Sequence, residues 1–180
     1  MTLNVPHIQQ SQESSCGAAA LSMVYKYLGL NDQNEDIIWD RLKEPRPSRR
    51  GEYFLRTVPM AKDSQNYGLS YFMGKAVLDA QLSLLQPLKE FLSLSIPIIV
   101  CQRISSENTL GHFRVVIGVE KNNIYINDPL LSKGKTTKNI DEFLSLWKNA
   151  NNEEVVGGEF LAVFKKEQVK SDSKFLVSDF

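Results

Sequence analysis

The spacing of apolar residues changes character partway along this chain, and that change limits the folds open to it. Ala20, Leu21, Val24, Tyr27 and Leu28 fall at offsets 0, +1, +4, +7 and +8, one face of a helix. The stripe predicts a helix over about 16–28, with Ser14 and Ser15 as hydroxyl caps and Gly29 as its stop. Further helices are predicted over 35–42, over 53–61, and from Pro87 to Leu94, since proline suits a first helical turn. A short strand fits 69–73. Beyond Leu94 the residues turn β-branched: 96–104, 113–119 and 124–127 read as strands, with Asn122 and Asn123 as the turn before the last. A helix at 140–148 places Phe143, Leu144 and Trp147 on one side, and 160–165 reads as a further strand. Helices first and antiparallel strands second make the expected class α+β, not an alternating α/β sheet.

A length of 180 residues suits one domain, expected over 1–166, followed by a polar tail over 167–180. Such a chain can bury a sizeable core without disulfide staples. Its 21 Lys and Arg balance 21 Asp and Glu, so no basic field exists to hold nucleic acid by counterion release. The longest apolar run, Ile96 to Cys101, is far too short to span a bilayer. Residues 1–15 show no secretory signal, and a cytoplasmic location is the expectation. Two cysteines make neither a disulfide framework nor a zinc ligand set, and no cofactor or metal is expected. Residues 44–51, Glu-Pro-Arg-Pro-Ser-Arg-Arg-Gly, read as an exposed basic loop. Gly157-Gly158 reads as a hairpin turn before the 160–165 strand, with a double-glycine cleavage signal as the alternative.

Cys16 stands in the first turn of the strongest helix, where N-terminal amides and the macrodipole favour a thiolate. Gly17 leaves space beside the sulfur. A small buried apolar cysteine is an equal reading of the segment alone. A thiol in need of an imidazole has two candidates, His7 and His112. His7 reads as a partly buried histidine beside Pro6. His112 opens a strand, and Asp128 sixteen residues later could hold its tautomer, the nucleophile–base–orienter logic of acyl transfer. Taken by itself, Asp128-Pro129 reads first as a turn pair, a common role for Asp-Pro. There is a geometric obstacle. A two-residue turn at 122–123 would set Asp128 opposite Ile117, about 16 Å from His112 at roughly 3.3 Å per residue. Contact requires a turn nearer Glu120 or a bulge. Gln10, six residues before Cys16, could donate to an oxyanion with the Cys16 N–H, although Gln9 and Gln12 are neighbours of the same type.

Val5-Pro6-His7-Ile8-Gln9-Gln10 and Ser15-Cys16-Gly17-Ala18-Ala19-Ala20-Leu21 resemble the start of the bacteriocin-processing cysteine peptidases, the papain-like domains that clip double-glycine leaders. Gly111-His112-Phe113-Arg114-Val115-Val116 resembles their histidine strand, and Ile126-Asn127-Asp128-Pro129 their aspartate segment. The resemblance spans about 5–130. It implies a papain-like fold, a helical half packed on an antiparallel sheet half with the site between. It also implies roles: Cys16 as nucleophile, His112 as base and acid, Asp128 as orienter and Gln10 as oxyanion donor. The expected activity is hydrolysis of a peptide or protein substrate through an acyl-enzyme. Acyl transfer to an amine or thiol, and peptide binding without catalysis, are the alternatives. No membrane span or nucleotide-binding domain follows the resemblance, so a stand-alone member is expected.

Overall fold

The computed structural model describes residues 2–46, 49–76 and 85–169. Its elements are α1 (Cys16–Tyr27), α2 (Glu35–Leu42), β1 (Glu44–Pro45), β2 (Tyr53–Phe54), α3 (Thr57–Gln65), β3 (Ser70–Lys75), α4 (Leu85–Ser93), β4 (Ile98–Arg103), β5 (Gly111–Glu120), β6 (Asn123–Asn127), β7 (Lys135–Asn139), α5 (Ile140–Trp147) and β8 (Glu159–Phe164). Six strands form one antiparallel sheet in the order β3-β8-β4-β5-β6-β7, while β1 and β2 pair separately. The class is α+β, as the pattern predicts.

Strand alternation builds two cores from one sheet. Ile99, Cys101, Phe113, Val115, Ile117, Leu161 and Val163 face α1, α2 and α3. Their neighbours Ile98, Val100, Val116, Phe160, Ala162 and Phe164 face α4 and α5. The helical half therefore covers one face, and two later helices cover the other. The alanines of α1 let it lie close on the sheet: Ala18, Ala19 and Ala20 are fully buried. Gly17 has the same purpose. A Cβ there would stand 2.9 Å from Leu55 Cβ and 3.1 Å from Phe113 Cδ2, so the space expected beside the sulfur is already filled.

Several local expectations are revised. The helix expected over 53–61 is displaced to Thr57–Gln65, with Pro59 in its first turn, because Tyr53 and Phe54 pair as a strand with Glu44 and Pro45. The polar edge strand β7 has no hydrophobic alternation to announce it. Ser15 precedes α1 but does not cap it; its hydroxyl bonds Glu35 and Gln12 instead. Arg46 is buried, not part of an exposed loop, whereas Arg49 and Arg50 are exposed and Pro47 and Ser48 lie outside the described residues. Gly157 and Gly158 take positive φ of 80° and 71° in the link from α5 to β8, which is a turn but not a β-hairpin. Lys166–Gln168 forms a 3₁₀ turn and Val169 is buried; the rest of the expected tail, 170–180, lies outside the described residues.

Candidate active site

The obstacle between His112 and Asp128 is removed by two features of the β5–β6 ladder. The reversal comes one residue early, at Lys121-Asn122, so Glu120 pairs with Asn123; Lys121 takes φ 52° to make it. A bulge between Val116 and Gly118 then advances the register again, to Val116 opposite Ile126 and Val115 opposite Asn127. Continuing that register by one residue sets Asp128 beside Arg114 rather than Ile117. His112 is two residues from Arg114 on the same strand face, so both side chains reach Asp128. The carbonyl of the bulged Ile117 is taken by Leu3 N–H at 2.8 Å, which ties the N-terminal segment to the sheet.

Asp128 is consequently enclosed by donors. His112 Nε2 lies 2.6 Å from Oδ1, Arg114 Nε donates to Oδ2 at 2.7 Å, and Leu130 N–H donates to Oδ1 at 3.0 Å. Burial alone would raise this carboxyl, but His112 and Arg114 hold it far below the usual carboxylate range. Arg114, buried beneath the site, also donates to Gln102 Oε1 and to the carbonyls of Arg103 and Ile104. Gln102 Nε2 in turn donates to Phe143 O on α5. Nothing in the residue types of the segment singles out Arg114. Its position two residues after His112, on one strand face, was the available signal.

With Nε2 bound to Asp128, Nδ1 is the His112 nitrogen left for Cys16. Burial pushes the Cys16 thiol up. The hydrogen bond and charge of His112, with the N–H groups of Phe113 and Gly17, outweigh it and leave the thiol below its ordinary value. For His112, burial acts downward, and Asp128 and Cys16 outweigh that, so its affinity for a proton is raised. The two shifts have the signs that favour a thiolate–imidazolium pair. Cys101 faces the opposite condition: burial, with the Cys16, Glu159 and Glu154 charges, pushes its thiol well up.

Cys16, His112 and Asp128 are thus brought together; Gln10 is bound elsewhere. Its Nε2 donates to Gln12 O at 2.7 Å and to Glu13 O at 2.8 Å, and its Oε1 is buried with no hydrogen-bond partner. Its own N–H donates to Pro129 O at 2.9 Å, next to Asp128. His7 is not at the thiol: its Nε2 donates to Asp128 O at 3.0 Å. Glu35, at the start of α2, accepts from Ser11 N–H and from the Ser11 and Ser15 hydroxyls, holding the loop that precedes Cys16. Among the described residues no cluster of three His, Cys, Asp or Glu could hold a metal, and no helix is long and apolar enough to cross a membrane.

Residues 2–155 match the model of the Peptidase_C39 like family. The chain belongs to that family. It is a cysteine peptidase by that membership, and its fold is that of the family's solved structures. A protein from Bacillus anthracis described as a C39-like peptidase superposes with a TM-score of 0.66 at 16% identity, over 92% of this chain and 98% of that one. The peptidase domain of Streptococcus ComA, a bifunctional ABC transporter of quorum sensing, gives 0.64 at 20% identity, over 91% and 100%. A double-glycine-motif protease from an AMS/PCAT transporter, in complex with its leader peptide, gives 0.54 at 24%, over 91% and 94%. No curated protein matches the sequence.

Proposed function

We propose that this peptidase hydrolyses a peptide bond through a thioester formed on Cys16. The observation that carries the reading is the chain Cys16–His112–Asp128, in which a lowered thiol faces a histidine fixed at 2.6 Å from a buried carboxylate. The thiolate attacks the substrate carbonyl carbon, and the carbonyl electron pair moves onto oxygen. The N–H groups of the first turn of α1 lack intrahelical acceptors, and in this reading the one on Cys16 receives that oxyanion. Gln10 is the second donor in this reading and must release a loop carbonyl to serve. The His112 proton passes to the departing amine as the C–N bond breaks. Water then attacks the thioester, His112 takes its proton, and the acid leaves.

A neighbouring solved structure holds a leader peptide, which supports a peptide as the substrate class here. The test compares cleavage of a peptide library by the natural chain and by Cys16→Ala, with product masses recorded in the presence of an added amine. Hydrolysed products lost in Cys16→Ala are expected. Cleavage that survives Cys16→Ala overturns the reading, and amide products in place of acids reassign the chemistry to acyl transfer.

A further inference from the structure

Two cavities open beside the Cys16 thiol, one of about 400 Å³ and one of about 130 Å³. Ser14, Cys16, Arg46 and Gly111 line both, and Arg46 is the one permanently charged side chain they share. It enters from the segment after β1, where its backbone N–H donates to Glu52 O at 2.9 Å. Its side chain is only 6% exposed.

A guanidinium carries five N–H donors, and when buried it is ordinarily supplied with acceptors. Arg114, the other buried arginine among the described residues, follows that rule. It donates to Asp128, to Gln102 and to the carbonyls of Arg103 and Ile104. Arg46 does not. Its Nε is buried with no hydrogen-bond partner among the described residues. Glu154 Oε1 stands 3.5 Å from Nε, and Glu52 Oε2 stands 3.4 Å from Nη1, loose ion pairs that balance the charge without satisfying the donors. A buried cation with unused donors, on the wall of both cavities beside the thiol, is a place for a substrate acceptor.

Charge decides which kind of acceptor. Arg46 already faces two carboxylates, and Glu153 and Glu159 line the larger cavity as well. An acidic side chain brought there would meet more negative charge than it neutralises. A main-chain carbonyl carries no net charge and is offered by every peptide residue, glycine included. We infer that Arg46 is a substrate-binding residue that donates to a main-chain carbonyl of the peptide, within two residues of the scissile bond. This rests on Cys16 being the nucleophile, because the thiol fixes where the scissile bond lies in the cleft. Nε is screened, so the guanidinium turns on its stem to present an N–H, and the loose ion pairs leave it free to do so. A hydrogen bond from a charged donor corresponds to about ten- to a hundredfold in affinity.

The test starts from one library peptide that binds Cys16→Ala, resynthesised with a single thioamide at each of the two amide bonds before and after the scissile bond. Sulfur accepts a hydrogen bond less well than oxygen, so one thioamide should lower kcat/KM by about tenfold. In Arg46→Met, which keeps the stem and removes the donors, the unmodified peptide should lose a similar factor, and that same thioamide should cost little more. A purely structural role for Arg46 would not make its loss and one thioamide non-additive. Arg46→Lys keeps the charge without the fork and should recover part of the loss; it carries the comparison if Arg46→Met melts too low to assay. The same peptides are bound to Cys16→Ala, with and without the Arg46 change, and followed by fluorescence anisotropy. Penalties that are equal with and without Arg46 at every position, or absent throughout, overturn the inference and leave hydrolysis standing. An Arg46-dependent gain from Asp beside the scissile bond overturns it in favour of a carboxylate ligand. A coupled position seen in binding, without turnover by the natural chain, upholds the contact and rejects hydrolysis.

Discussion

Arg114 Nε donates to Asp128 Oδ2 at 2.7 Å, on the carboxylate whose other oxygen holds His112. One buried anion therefore serves two cations, and Arg114 acts on His112 through it. Asp128 raises the proton affinity of His112, while the Arg114 charge lowers it. Arg114 keeps the pair from becoming too basic and holds the carboxylate in place. In Arg114→Met the alkaline limb of the kcat/KM profile should move to higher pH, because the downward pull on His112 is lost. The fold should lose about 3–5 kcal/mol, as a buried carboxylate and three acceptors lose their donor. Arg114→Lys should restore part of the stability without the full hydrogen-bond set. A pH–rate profile unchanged in Arg114→Met would confine Arg114 to the scaffold.

Asp128→Asn removes the charge but keeps most of the shape. Turnover should fall, yet remain above that of Cys16→Ala or His112→Ala, because the orienter touches no reacting atom. The carboxyl is depressed in the folded state, so its contribution to stability is present above the unfolded value. It should be lost as pH falls below about 4. The stability gap between the natural chain and Asp128→Asn should accordingly shrink as pH falls below about 4, and should also decline as pH rises through the folded His112 value, because Asp128 raises that histidine. Denaturant melts at a series of pH values measure it, and a gap that widens in acid contradicts the sign.

Gln10 is open to two roles, oxyanion donor or loop clamp, and in the structure its amide holds only the loop carbonyls of Gln12 and Glu13. As an oxyanion donor, its loss should cost about 10²–10³ in kcat with little change in KM. As a clamp on the 10–13 loop alone, its loss should lower thermal stability and leave kcat nearly intact. Gln10→Ala and Gln10→Glu, assayed for kcat, KM and melting temperature, decide between them. The donor role predicts the kcat loss in both.

Much of the fold was legible because helix and strand periods differ. Cys16–Tyr27, Glu35–Leu42 and the central strands β4, β5 and β6 carry their burial in their spacing. The site was legible as residue types but not as distances. Whether Asp128 meets His112 turns on a single bulged residue and a positive φ at Lys121, neither of which composition announces. Arg114 was hidden for a related reason: a lone arginine in a strand gives no sign of being buried until its acceptors are in place. The β1–β2 pair is not legible because strands of two residues are too short to show alternation, and β7 because its five residues are all polar.

Gly17→Ala tests the close approach of α1 to the sheet. Alanine gains about 0.8–1 kcal/mol of intrinsic helix preference over glycine. The added methyl would meet Leu55 Cβ at 2.9 Å, which is too near, and the ring of Phe113 at 3.1 Å. Overpacking typically costs 1–3 kcal/mol, so the net change should be destabilising. Phe113 follows His112 directly, and activity should fall with it. A variant more stable than the natural chain would mean that α1 can back away freely.

The two thiols should separate by reactivity. Cys16 is lowered by His112 and two backbone N–H groups against its burial, whereas Cys101 is raised by burial and by surrounding negative charge. Activated thiols titrate at roughly 3.5–7.5, against about 8.5 for an unperturbed one. Iodoacetamide at about pH 6, below the unperturbed value, should therefore label Cys16 first, with activity lost in step. His112→Ala should slow that labelling, because the thiolate loses both its hydrogen bond and its counter-charge. The slowing should be largest at low pH and fade as the solution approaches the ordinary thiol value, where Cys16 ionises unaided. Peptide mapping of time points resolves the two sites. Cys101 labelled first, or Cys16 fully alkylated with turnover intact, would remove Cys16 from the chemistry.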